Sequence, residues 1–336
     1  MPSARGAPER VASPEHAQSD GARSDWRRTL QLSLAAIWLL DGILQLQPFF
    51  FTSGGAGFSG MLASAASGNP GWLAHTITWN ASVVDHHALA TNAAFASMQI
   101  LLAVGIACRP TVKVALGVSV LWSLFVWWFG EGFGGVFGGA ASPIAGGPGA
   151  VLFYALLAVL LWPADRSGPS SPFAAASAIG VTAAKVTWSA VWTLLALLMI
   201  GQGRSPQGIS SLITRVEPGE PGWLSTVDHH AASLLDHLGL LVAVVFTVIF
   251  LLIATAVFLP EQIGKSVLIL AIVTSSLIWI IGQNFGMIFP GGATDPNSGP
   301  LLVLLVLSYW PLRPSGALEA EGRPAVIERR FTMEIA

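Results

Sequence analysis

Several stretches of this chain run for about twenty residues with almost no charge, the length an α-helix needs to cross the hydrocarbon core of a bilayer. One of them, Leu238 to Leu259, contains no Asp, Glu, Lys or Arg. Such runs leave few folds open. In lipid the backbone polar groups of such a run are satisfied within its own helix. Over the 336 residues, hydrophobic types make up 53% and charged types 10%, where a soluble chain carries about 25% charged residues. The sequence therefore predicts an all-α, polytopic membrane protein with membrane lipid as its surroundings. No segment is basic enough to suggest a nucleic-acid partner. A single cysteine, Cys108, excludes an intrachain disulfide and a thiolate cluster.

The positions of charge and of Pro/Gly-rich segments divide the chain. Residues 1–28, with Arg5, Arg10, Arg23, Arg27 and Arg28, read as a disordered cytoplasmic tail rather than a cleavable signal. A first membrane repeat is expected over 29–162, a polar linker over 163–172, a second repeat over 173–312 and a charged cytoplasmic tail over 313–336. The expected spans are Leu30–Phe50, His86–Cys108, Val114–Phe129 and Pro148–Trp162, then Lys185–Ile200, Leu234–Leu259, Ser266–Ile281 and Pro300–Trp310. Of the 16 Lys and Arg, all but Arg204 and Arg215 fall in the tails, the even-numbered turns, the linker or the foot of the fifth span. The positive-inside rule then puts both termini in the cytoplasm of a plasma-membrane protein with eight transmembrane helices.

Two halves repeat one another. Val84-Asp85-His86-His87 returns as Val227-Asp228-His229-His230, each after a loop with Gly-Trp-Leu at 71–73 and 222–224. Trp127-Trp128-Phe129-Gly130-Glu131-Gly132-Phe133-Gly134 aligns with Trp279-Ile280-Ile281-Gly282-Gln283-Asn284-Phe285-Gly286, which carries Gly147-Pro148 onto Gly299-Pro300. With four spans in each half, both enter the membrane in the same direction, as two parallel four-helix repeats.

Polar residues inside this apolar frame are the candidate site. Asp41 lies about 20 Å of helix rise beyond Arg28, deep enough that an acid costs roughly 2.5–3.5 kcal/mol. Gln45, four residues on, shares its helix face. Either the pair glues helices together, or it binds a ligand or proton. Asp85 and Asp228 are expected to cap the helices that follow them. The helix dipole then favours neutral imidazole at His86, His87, His229 and His230, which either anchor the interface or ligate a metal or haem iron. Glu131 ends the third span, with Trp127 and Trp128 as an interface belt or the walls of a flat pocket. The ends that carry Asp41, Gln45, the histidines and Glu131 converge on one extracytoplasmic rim.

Gly42-Ile43-Leu44-Gln45-Leu46-Gln47-Pro48 is similar to the end of the first helix in DoxX/DoxD-type membrane proteins, and the whole chain resembles tandem-duplicated actinobacterial membrane proteins. The resemblance implies four-helix units tied to membrane redox chemistry, with a rim site for a quinone- or haem-like group. Two other functions remain open from the residues: a transporter or metal-handling protein, and a non-catalytic subunit that binds another membrane protein. The topology predicts that single cysteines placed at positions 87 and 230, beside Asp85 and Asp228 in a chain with Cys108 replaced, react with a membrane-impermeant thiol reagent from outside the cell. Labelling from the cytoplasm, or on opposite sides, refutes it.

Overall fold

The computed structural model describes residues 14–55, 57–164, 171–202, 208–215, 221–236 and 238–312. Among them the regular structure is all helical, with no strand. The helices are α1 (Pro14–Leu44), α2 (Phe58–Ser64), α3 (Gly71–His86), α4 (Ala88–Ala107), α5 (Val112–Phe129), α6 (Ala150–Leu160), α7 (Ala174–Ile179), α8 (Val181–Gln202), α9 (Gly208–Arg215), α10 (Gly222–Leu235), α11 (Gly239–Ala254), α12 (Glu261–Leu277) and α13 (Ser298–Ser308). The expected linker residues 165–170, Arg204, and the tails 1–13 and 313–336 lie outside the described residues.

Five helical segments are long and apolar enough to cross a membrane: Ala88–Ala107, Val112–Phe129, Val181–Gln202, Gly239–Phe258 and Glu261–Gly282. Large apolar side chains such as Leu89, Leu101, Val114, Leu121, Leu197, Leu240 and Val248 stand exposed along them. A surface of that kind suits lipid and not water. α6 and α13 differ. Each has 11 residues, about 16 Å of rise, half the thickness of a bilayer core of about 30 Å. They are apolar on every side and mostly buried, which marks interior helices. They pack on each other, and one continuous core runs from Leu30 through Tyr154, Trp188 and Phe250 to Tyr309.

The opposite ends of the bundle are tied differently. At one end Trp26 Nε1 donates to Leu307 O at 3.3 Å, Arg27 to Ala164 O at 3.4 Å and Arg28 to Ile106 O at 2.9 Å. These bonds satisfy carbonyls at the C-terminal ends of α4 and α13 and just past α6, where helices leave acceptors unpaired. They also correct the expected tail: the chain is already helical from Pro14. Proline is tolerated in a first turn, and the Ala, Gln and Arg that follow are good helix formers, so the helix extends N-terminally past Arg28.

At the other end two coils fold back beside α6 and α13, and they share a geometry. Trp127 Nε1 donates to Pro148 O at 2.7 Å, and Trp279 Nε1 to Pro296 O at 2.8 Å. Phe133 has φ +56° and Phe285 φ +52°, a conformation that non-glycine residues rarely adopt. Each ring is held edge-on by its tryptophan, at 4.7 Å for Trp127 and 5.0 Å for Trp279. Trp72 and Trp223 each pack on the same two phenylalanines of their coil, Phe133 with Phe137 and Phe285 with Phe289. Pro296, and not Pro300, therefore stands where Pro148 does, because the second coil is four residues shorter.

The Asp-His-His recurrence is also displaced. α3 and α10 both start at Gly-Trp-Leu and run through the motif, so neither Asp85 nor Asp228 caps a following helix. Asp85 sits in the last turn of α3, 14 residues after Gly71 (85 − 71), whereas Asp228 lies only 6 after Gly222 (228 − 222). The residue six beyond Gly71 is Ile77. Ile77 and Asp228 are both fully buried, so the two copies of the motif lie about two helical turns apart.

Gly286 has φ +73°, and an added Cβ would meet the Pro296 backbone carbon at 2.5 Å. Gly286→Ala is expected to cost more than about 1 kcal/mol through backbone strain and overpacking. Gly201→Ala, with nothing within 4 Å of the added Cβ, is the control. Thermal unfolding of the detergent-solubilised chain checks this, and equal midpoints for the two variants would refute the packing.

Candidate functional site

α1 presents Trp38, Asp41 and Gln45 on one face. All three are buried, Asp41 to 1% exposure, and all three border a cavity of about 110 Å³ in the first half of the fold. Gln45 is braced across to α4: its Nε2 donates to Asn92 Oδ1 at 2.5 Å, and Asn92 Nδ2 donates back to Gln45 O at 2.9 Å. Asp41 has no such brace. Its one polar neighbour is the Tyr154 hydroxyl on α6, which donates toward it, and no other group bonds either oxygen.

Glu131 reaches the cavity from the end of α5. Its carboxyl accepts from the amides of Val151 and Ala150, the first turn of α6, where helices carry unpaired donors and a partial positive charge. Its other oxygen is unpartnered. Gly149 makes this approach feasible: it has φ +119°, and Glu131 and Trp127 occupy the space a Cβ would need. In the second half Gln283 does the same for α13, accepting from Gly299 N at 3.1 Å while donating to Ser298 Oγ at 2.8 Å. The neutral amide is fully paired where the acid is not.

The third acid comes from the other half. Asp295, in the coil before α13, also borders the cavity. It is oriented by Asn297 N at 2.7 Å and the Thr294 hydroxyl at 2.9 Å. Asn80 on α3, Gln99 on α4 and an aromatic set of Trp38, Phe58, Phe95, Trp122 and Phe125 complete the wall. Gln99 Oε1 and Trp122 Nε1 are buried without partners. None of the lining residues is Lys, Arg or His.

Of the residues singled out in the sequence, Asp41, Gln45 and Glu131 meet at this cavity, and the others do not. Trp127 is spent on Pro148 and Phe133. Trp128 stands 38% exposed and donates to Thr76 Oγ1. His86, His87, His229 and His230 are exposed on α3, α10 and the α3–α4 junction. His86 Nδ1 lies 2.7 Å from Ser82 O and His230 Nδ1 2.7 Å from Thr226 O, each on its own helix. Among the described residues no group of three or more His, Cys, Asp or Glu is placed to hold a metal ion. The expected histidine metal site is thus not assembled, because both pairs point off the outer faces of short helices.

Asp295, Tyr154, Gln99 and Asn80 escaped the sequence analysis. Tyr154, one of 2 tyrosines in the chain, and Gln99 carried a signal as polar groups within apolar helices. Asp295 carried none, being one acid in a coil of the other half.

α2 covers the cavity with Phe58, Met61 and Leu62, and Asp85 holds it down. The Asp85 carboxylate accepts from Gly54 N at 2.6 Å and Ser59 Oγ at 2.7 Å, and these two bonds lower its pKa. A depressed carboxyl stabilises the folded arrangement above its unfolded pKa, and that contribution is lost as pH falls through the folded value. Asp85→Asn is expected to speed amide exchange across residues 54–64 at neutral pH, and the wild type to approach the variant as pH falls below the normal aspartate range. Exchange independent of both would show that Asp85 does not hold this segment. Comparison with protein-family models, with curated proteins and with solved structures finds no match for this chain.

Proposed function

We propose that this chain is a multi-pass plasma-membrane protein that takes a small cationic solute, or protons, into the acidic cavity of its first half, and that it serves transport or ion relay. The observation that carries this is the charge imbalance of the wall. Asp41, Glu131 and Asp295 surround one small space with no basic side chain among its lining residues; Asp41 has only the neutral Tyr154 hydroxyl beside it, and one oxygen of Glu131 is unpartnered. Buried carboxylates without partners are costly. A bound cation or bound protons relieve that cost, and exchange between the two is the elementary step of a cation-coupled carrier.

The proposed architecture is a duplication of a four-helix unit, each entering from the cytoplasm, with eight crossings and both termini inside. It is supported by the five long apolar helices, by the matched tryptophan–proline and phenylalanine geometry of the two coils, and by the Arg27 and Arg28 ties at one end. α6 and α13 complete their crossings with coil, which is tolerated at membrane depth only where protein buries it. The likeness to DoxX/DoxD proteins bears on the four-helix unit. A quinone- or haem-like ligand is disfavoured: the cavity, at about 110 Å³, is below the roughly 300 Å³ at which organic-ligand pockets begin, and no histidine lines it.

A hydrophobic carbodiimide, which attacks protonated carboxyls within membranes, tests the proposal. Mass spectrometry is expected to find label on Asp41 or Glu131, slowed about tenfold or more by a cation that occupies the site, equivalent to about 1.4 kcal/mol. Absence of label, or label that responds to neither pH nor any cation, would overturn it.

A further inference from the structure

The cavity is rich in acceptors and poor in donors. Its accepting atoms are the two Asp41 oxygens, Gln99 Oε1 and Glu131 Oε2; against them stand two donors, Trp122 Nε1 and the Tyr154 hydroxyl that faces Asp41. The Asp295 carboxyl, brought from the second half, faces the same space. A ligand that satisfies this wall has to supply N–H or O–H donors together with positive charge. A bare metal ion supplies no donors, and the three acids are not grouped to coordinate one.

The remaining wall is aromatic. Phe95 and Trp122 lie 5.2 Å apart, Trp122 and Phe125 5.4 Å, Phe58 and Phe95 6.0 Å, and Trp38 and Tyr154 4.3 Å. Ring faces attract an ammonium group within about 6 Å of their centroids, and they offer alkyl carbons a surface that water does not. At about 110 Å³, well below the roughly 300 Å³ at which drug-sized ligand pockets begin, the space suits an occupant of only a few heavy atoms.

We propose that the occupant is a small primary alkylammonium ion, its three N–H groups directed to Asp41, Gln99 and the Glu131–Asp295 pair and its alkyl group against Phe95, Trp122 and Phe125. This rests on the cation-binding function above and narrows it. Asp295 is then a specificity residue contributed by the second half, so the site of the first half is incomplete without it. A quaternary ammonium of similar size fills the aromatic set but donates nothing, so it binds worse. At a ceiling of about 1.5 kcal/mol per heavy atom, methylammonium binds no tighter than about 6 mM and ethylammonium no tighter than about 0.5 mM.

Saturation-transfer NMR on the purified full chain in detergent, with methylammonium and ethylammonium as probes, tests this. Transfer to the alkyl protons is expected, with tetramethylammonium binding about tenfold more weakly. Asp41→Asn and Asp295→Asn should each lower the signal tenfold or more without lowering the thermal midpoint. Gln99→Leu, which removes an acceptor without touching charge, should weaken the primary amines while leaving tetramethylammonium unchanged. Equal binding of tetramethylammonium, or displacement of methylammonium by equimolar sodium, would overturn the amine assignment and leave the cation function standing. No transfer to any probe, with carbodiimide labelling still sensitive to protons, would leave a water-filled proton site and overturn the amine assignment. No transfer together with insensitive labelling would overturn both.

Discussion

A peptide group buried away from water has to find its hydrogen bonds inside the protein, and the two coils that lead into the buried helices α6 and α13 make that condition acute here. Their backbone is then satisfied by side chains placed for the purpose. Trp127 and Trp279 donate to the carbonyls of Pro148 and Pro296, and Glu131 and Gln283 accept from the first amides of α6 and α13. The positive φ of Phe133 and Phe285 is tolerated because each ring is packed by a tryptophan and a second phenylalanine.

From that common device the two halves diverge chemically. Gln283 has donors as well as acceptors and spends them on Ser298 and Pro143, which leaves the second coil neutral and closed. Glu131 has acceptors alone, so one oxygen stays open beside Asp41. The pocket between α9, α11 and α12, lined by Ile209, Ile213, Phe246, Leu277 and Ile278, is all hydrocarbon.

The helices, their apolar faces and three of the cavity's polar residues were legible because each is a local property. Asp41 and Gln45 share a face by spacing alone, and Glu131 follows a span whose end is marked by Gly130 and Gly132. The duplicated Asp-His-His motif misled because likeness of letters carried no register. Gly-Trp-Leu starts both helices, but the motif falls in the last turn of α3 and the second turn of α10. Helix α1 ran further outward than its composition suggested, since an established helix extends through good helix formers at little cost.

What the sequence alone determined is the class of solvent and the secondary structure: uncharged apolar runs can meet lipid only as helices, and a buried acid such as Asp41 must face inward. Tertiary structure alone decided which polar groups meet. Asp295 lies 254 residues from Asp41 (295 − 41) in the chain, and it enters the cavity because α6 and α13 pack on each other and bring the second coil across. Spacing reports on neighbours within a helix, whereas a contact between coils of different halves depends on how the helices beneath them pack.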